Sequence, residues 1–189
     1  MAINVLYHQS PIRLEEELGI IEKAKVNPAH FGPLYSRYHE SIFRYIYRRV
    51  EDIEAAYDIT SQVFVKAIGA LPKFEYRGVP FSSWLFRIAK SELYQFFRDN
   101  KANRMVSIDS VRIGQVMDEF MEDHSEEDRE RLLKVLPLLK EDQLHLIEMR
   151  FFEKRSFREI GEIVGLTENN AKVKTFRALV KLKQLYNRK

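Results

Sequence analysis

The sequence contains no cysteine, which excludes disulfides, thiolate metal sites and thiol nucleophiles together. Glycine and proline are sparse, 7 and 6 in 189 residues, and no Gly-rich loop of the phosphate-cradling kind is present. No apolar run approaches the length of a membrane span. The N-terminal stretch carries Glu15, Glu16 and Glu17 where a signal peptide would need an apolar segment. The five histidines, His8, His30, His39, His124 and His145, lack a paired metal-ligand spacing, and no Ser/His/Asp arrangement stands out. These absences weigh against an enzyme, and neither cofactor nor metal is expected. The expectation is a soluble cytoplasmic protein, long enough for one large domain or two small ones.

The net charge of +3 hides an uneven distribution. Residues 1–104 carry 15 Lys/Arg against 12 Asp/Glu, residues 105–128 one against eight, and residues 129–189 fifteen against eight. Two basic ends flank an acidic middle. That pattern suits two nucleic-acid-facing modules joined by a segment that sits poorly on DNA, or simply a solvated acidic linker.

Strand-like alternation is missing, whereas helical periodicity recurs throughout, so the expected fold class is all-α, two small bundles joined by the acidic linker. Asn27-Pro28 offers a cap and first-turn proline for a helix reaching about Val50, with Phe31, Leu34, Tyr35, Tyr38, Ile42, Tyr45 and Ile46 at three- and four-residue intervals. A second helix fits Asp52 to Leu71, with core at Ile59, Val63, Ala67, Ile68 and Leu71. A loop punctuated by Gly78 and Pro80 follows. A third helix fits Ser83 to Asn100, with core at Leu85, Ile88, Ala89, Leu93 and Phe96. Residues 105–124 read as linker with a short helical piece near Val116 to Met121. Two further helices fit Ser125–Leu136 and Glu141–Phe152. Leu14, Leu18 and Ile21, beside acidic groups, hint at an extra helix within residues 1–27.

Ser156 to Leu182 is the most informative stretch. Ser156 with Glu159 forms a capping-box pattern, Gly165 supplies the backbone angles of a sharp turn, and Thr167 caps the next helix. On that second helix Asn170, Val173, Lys174, Arg177 and Lys181 share one stripe, and Ala171, Thr175, Ala178 and Leu182 the adjoining apolar one. A solvated helical hairpin has similar features; the Asn/Lys/Arg face favours a major-groove reader.

Eight of the 24 residues from Phe74 to Phe97 are aromatic, against 12% of the chain. The outer stripe of the third helix, Arg87, Ser91, Tyr94, Arg98 and Lys101 with Lys90 beside it, interleaves cations with a ring. That combination suits single-stranded DNA, where cations hold the backbone and rings stack on bases. For Trp84 and Phe96 a place in the core is the competing reading.

The two halves together resemble the extracytoplasmic-function (ECF) group of the sigma-70 family of bacterial RNA polymerase sigma factors. FGPLYSRYHESIFRYIYRRV, DITSQVFVKAIGALPKF and FSSWLFRIAKSELYQFFR are similar to sigma region two. LPLLKEDQLHLIEMRFFEKRSFREIGEIVGLTENNAKVKTFRALVKL is similar to region four. The resemblance implies residues 28–104 as a region two-like domain for core polymerase and the minus-ten element. It implies 105–124 as linker and 125–189 as a region four-like helix-turn-helix domain for the minus-thirty-five element, leaving 1–27 as an extension of unknown role. It implies core polymerase and promoter DNA as partners, with an anti-sigma factor among those the family admits, and no catalysis or membrane association. Carried over by motif, the polymerase contacts are Asp58, Gln62 and Phe64. The minus-ten contacts are Tyr76, Phe81, Trp84, Arg87, Lys90, Ser91, Tyr94 and Arg98. The minus-thirty-five contacts are Thr167, Asn169, Asn170, Lys172, Lys174, Arg177 and Lys181. The chain departs from the group's pattern at Ala55, at Ser91 and Gln95 in place of Asn and Asp, and at Thr175-Phe176 in place of Leu-His. The competing functions are a stand-alone helix-turn-helix regulator, or a sigma-like adaptor that binds polymerase without opening promoters.

Overall fold

A computed structural model describes residues 11–100, 116–119 and 125–187. They form two compact units, one from each half of the chain, helical throughout and without a strand among the described residues. The all-α expectation therefore holds.

The first unit begins with α1, Pro11–Val26, the helix hinted at within residues 1–27. Asn27 then accepts a hydrogen bond from the Ala29 amide at 3.0 Å and opens a 3-10 turn, Pro28–Phe31. The helix expected to run unbroken from here restarts as α2, Gly32–Val50. Pro33 is the reason: lacking an N–H, it fits a first helical turn and not a helix interior. Asp52 caps α3, Ile53–Ala70, by accepting from the Ala55 amide at 2.9 Å. A 3-10 turn, Leu71–Lys73, leads into the loop of residues 74–80 and then α4, Phe81–Asn100. Leu34, Ile42, Ile46, Ala56, Val63, Ala67, Leu85 and Ala89 are fully buried where α2, α3 and α4 meet. Tyr35, expected in that stripe, is instead 43% exposed, while Ile68, Ile88 and Phe96 are half-buried. Phe81 and Phe86 fill the core in their place.

The second unit contains α5, Glu126–Val135, opened by the Ser125/Asp128 capping box, a 3-10 turn Leu136–Leu138 at Pro137, and α6, Glu141–Ile147. The expected continuation of α6 to Phe152 widens into a π turn, Glu148–Phe152. The amides of Glu153 and Arg155 reach back to the carbonyls of Glu148 and Met149, both at 2.9 Å, one and two residues beyond α-helical reach. α7, Phe157–Val164, and α8, Glu168–Tyr186, complete the unit. The Tyr186 hydroxyl donates to Asp128 at 2.5 Å and Arg131 lies over its ring, closing the last helix on the first. Burial, then the bond to Asp128, raises the Tyr186 pKa above its ordinary value. Most of the expected linker lies outside the described residues, as does the short piece beyond residue 119. Val116 and Met117 within it are fully buried, so that part is not a solvated spacer.

Candidate nucleic-acid interface

In the second unit, local chemistry fixes the hairpin. Ser156 accepts from the Glu159 amide at 3.2 Å, while Glu159 accepts from the Ser156 amide at 2.9 Å and hydroxyl at 2.8 Å. Gly165 ends α7 at φ +73°, an angle only glycine adopts at low cost. Thr167 accepts from the Asn170 amide at 3.3 Å and starts α8. Between them the backbone folds back so closely that a Cβ on Gly161 would lie 2.6 Å from the Leu166 carbonyl oxygen. Gly161→Ala is therefore expected to destabilise the second unit by about 1–3 kcal/mol, read as an earlier transition in urea unfolding. Wild-type stability would show that the turn yields freely.

α8 buries Ala171, Thr175, Ala178 and Leu182, the predicted stripe. It leaves Thr167, Asn169, Asn170, Lys172, Lys174 and Arg177 exposed and Lys181 half-buried. The sequence reading missed the character of the neighbouring stripe. Val173, Phe176 and Val180 are 39%, 46% and 59% exposed, and with Asn169, Lys172 and Arg177 they line a groove of about 430 Å³. Their i, i+3, i+7 spacing, out of register with the buried stripe, was the available signal. Apolar groups between cations suit a groove that presents thymine methyls between two rows of phosphates. Phe176 leans on Phe157, centroids 6.1 Å apart, over which Arg150 sits at 4.6 Å.

In the first unit, α4 turns Arg87, Ser91 and Arg98 to solvent, with Lys90 and Tyr94 half-buried and the Lys90 ammonium 5.0 Å from the Tyr94 ring. Lys101 lies outside the described residues. Arg98 is held by Gln95, which itself donates to Asp99 at 2.6 Å. Tyr76, 42% exposed, stands on the loop, which turns at Gly78 with φ +71°. Trp84 is half-buried above Phe74 and Phe81, at 5.1 and 5.2 Å. Phe81 itself corrects the prediction. It is 1% exposed, wedged against Phe31, Tyr38 and Phe74, and cannot meet a base while the unit is folded.

The face expected to meet polymerase divides in the same way. Asp58 and Gln62 are exposed on α3, beside Val65 at 70%. Phe64 is a second correction, buried at 3% beneath Tyr35 and Phe31. What reaches the surface is a run of rings that the sequence reading did not single out. On α2, His39 stacks on Phe43 at 9° and Phe43 on Tyr47 at 6°, and Tyr57 of α3 stacks on Phe43 at 4.5 Å. Tyr35, Tyr47 and Tyr57 are each over 40% exposed. Their spacing of four along α2 was legible. Clustered exposed rings of this kind mark protein-protein contact.

The family model Sigma-70 region 2 matches residues 34–103, and Sigma-70, region 4 matches residues 135–184. The ECF RNA polymerase sigma factor BldN of Streptomyces coelicolor is 29% identical over 88% of this chain and 64% of its own length. The chain thus spans somewhat under two thirds of that relative. The ECF RNA polymerase sigma factor SigM of Bacillus subtilis is 24% identical over 82% of this chain and 94% of its own length. Among solved structures, CnrH in complex with the cytosolic domain of CnrY shares the fold at a TM-score of 0.59, with 21% identity over 88% of this chain and 94% of that one. The sigma factor RpoE in complex with the anti-sigma factor NepR from Bartonella quintana does so at 0.54, with 20% identity over 82% and 95%. No helix among the described residues is long and apolar enough to cross a membrane.

Proposed function

The chain belongs to the sigma-70 family of RNA polymerase sigma factors, in its ECF group, and from that membership we propose that it is a promoter-specificity subunit. It joins core polymerase in the cytoplasm and has no catalysis of its own. Residues 28–104 dock on the core through Asp58 and Gln62 with the exposed rings beside them, and present the loop 74–80 and α4 to the minus-ten element. Residues 125–189 place α8 in the major groove at the minus-thirty-five element. Flipping a base out of the duplex costs a few kcal/mol. Stacking on rings such as Tyr76 and Trp84, worth about 1–3 kcal/mol per base, offsets it.

The observation that carries this reading is the pairing, in one chain, of the exposed Asn/Lys/Arg face of α8 with a first unit that exposes both stacked rings and a cationic helix face. A stand-alone regulator has no use for the first unit. Run-off transcription with purified core tests it: promoter-specific product is expected, lost when Asp58 and Gln62 are both replaced by Ala. DNA binding without product would favour the regulator, and core binding alone the adaptor.

Within α8, Asn170→Ala and Lys174→Ala are each expected to cost about 1–3 kcal/mol and relax preference at one promoter position. Arg177→Ala should instead weaken every promoter alike and lower the salt slope by about one. Binding of the holoenzyme to a minus-thirty-five library at several salt concentrations separates the roles. Relaxed preference with Arg177→Ala alone would reverse them.

A further inference from the structure

The role of residues 11–26 is open in the function just given, and their contacts lead to the loop. α1 packs against both 3-10 turns, Pro28–Phe31 and Leu71–Lys73, as well as α2. Its inward stripe is not simply apolar. Ile21 and Ala24 are buried, and so, at 0% exposure, is the carboxylate of Glu17. Glu17 accepts a hydrogen bond from the Tyr38 hydroxyl and another from Arg37 at 3.0 Å. Burial draws the Arg37 pKa down, but the bond to Glu17, with the charges of Tyr38 and Glu17 and a bond to Tyr38, outweighs it and the pKa rises.

A buried carboxylate is a costly way to cover a bundle. Desolvation takes several kcal/mol, which hydrogen bonds at best return, and a leucine would cover the same surface without that cost. What the carboxylate adds is direction, because it fixes the Tyr38 ring. That ring lies 6.0 Å from Phe81, where the loop 74–80 ends and α4 begins. At the other end of the same helix, the Lys25 ammonium sits 5.9 Å from the ring of Phe74, where the loop starts. Phe74 and Phe81 are themselves in edge contact at 5.2 Å, and both touch Trp84.

We propose that α1 is a positioning element for promoter opening. Through Glu17–Tyr38–Phe81 at one end and Lys25–Phe74 at the other, it holds both ends of the loop 74–80 in the shape that receives unpaired bases. The inference rests on reading that loop and Trp84 as the strand-capturing surface. Tyr38 and Lys25 touch no DNA in it; they act through Phe81 and Phe74.

Tyr38→Phe deletes the hydrogen bond and keeps the ring; Lys25→Met deletes the cation and keeps the stem. Both are to be made in the full chain and assayed with purified core on a duplex promoter and on the same promoter carrying a mismatched, premelted minus-ten segment. The expected result is a severalfold loss of open complex on the duplex, most of it recovered on the premelted template, with core affinity unchanged. Lys25→Arg should behave as wild type. Trp84 is the only tryptophan, so its emission reports on the loop directly; it should shift in both variants, at an unchanged unfolding midpoint for Lys25→Met and a lowered one for Tyr38→Phe, which takes a hydrogen bond from a buried carboxylate. Equal losses on both templates, or full activity with unaltered Trp84 emission, would overturn the proposal. If wild type itself yields no promoter-specific product, the sigma-factor reading falls first and the proposal with it, an outcome distinguishable because no variant is needed to see it.

Discussion

Phe81→Ala is expected to cost the first unit about 3–5 kcal/mol, the usual loss for a truncated core aromatic, and to abolish promoter opening as a consequence of unfolding. The ring touches Phe31, Tyr38, Phe74 and Trp84, with centroids between 5.2 and 6.5 Å. The cavity left by its removal lies beneath the loop and cannot be filled from solvent. Set against a total stability of about 5–15 kcal/mol for a domain, that loss is a large fraction. Trp84→Ala makes the contrast. Its ring is half-buried, so it should leave most of the stability in place while still impairing strand capture. Urea unfolding by circular dichroism, alongside open-complex assays, separates the two. A normally stable Phe81→Ala protein would show that the ring is not needed in the core.

That pair shows where a linear reading of this chain runs out. The helix-turn-helix was legible almost to the residue because each junction is made by groups close in sequence: Ser156 with Glu159, the left-handed Gly165, Thr167 with the Asn170 amide. Gly161 belongs to the same motif, yet its need for a missing Cβ depends on a carbonyl five residues on, a distance only the folded turn reveals. Phe81 and Phe64 were misplaced for a different reason. Each sits where helical spacing allows an inward or an outward side chain, and the choice is made by rings from elsewhere, Tyr38 and Phe74 for one, Tyr35 and Phe31 for the other.

α1 was harder still to read. Glu17 interrupts the stripe of Leu14, Leu18 and Ile21, and a carboxylate at a core position reads as a solvent face unless its partners are known. Those partners, Arg37 and Tyr38, lie 20 and 21 residues away. The aromatic run on α2 was hidden in the opposite sense. Tyr35, His39, Phe43 and Tyr47 recur every four residues, as core positions do, and only the folded unit shows Tyr35 and Tyr47 exposed with His39 and Phe43 half-buried between them.

Arg155→Ala should be the most damaging single change in the second unit, at about 3–5 kcal/mol, because it breaks a buried ion pair by removing one partner. Arg155 is 0% exposed and donates to Glu159, itself 2% exposed, at 3.2 Å. The same Glu159 closes the capping box at the start of α7, and Arg150 ties the Arg155 carbonyl at 2.9 Å. The pair therefore sits at the junction where the π turn hands over to the helix-turn-helix, and losing one half should loosen that junction first. Promoter binding is expected to fall with it although both residues are buried. The charge itself is dispensable in principle, since a buried ion pair replaced by groups of similar shape is often neutral. Arg155→Met combined with Glu159→Gln keeps the volume, and the glutamine can still accept from the Ser156 amide at the third helical position. The double variant should accordingly recover most of the stability lost by Arg155→Ala, and minus-thirty-five binding with it. Thermal unfolding of the wild type, the two single variants and the double variant measures the coupling. Purely additive losses would show that Arg155 is held by its packing and not by Glu159.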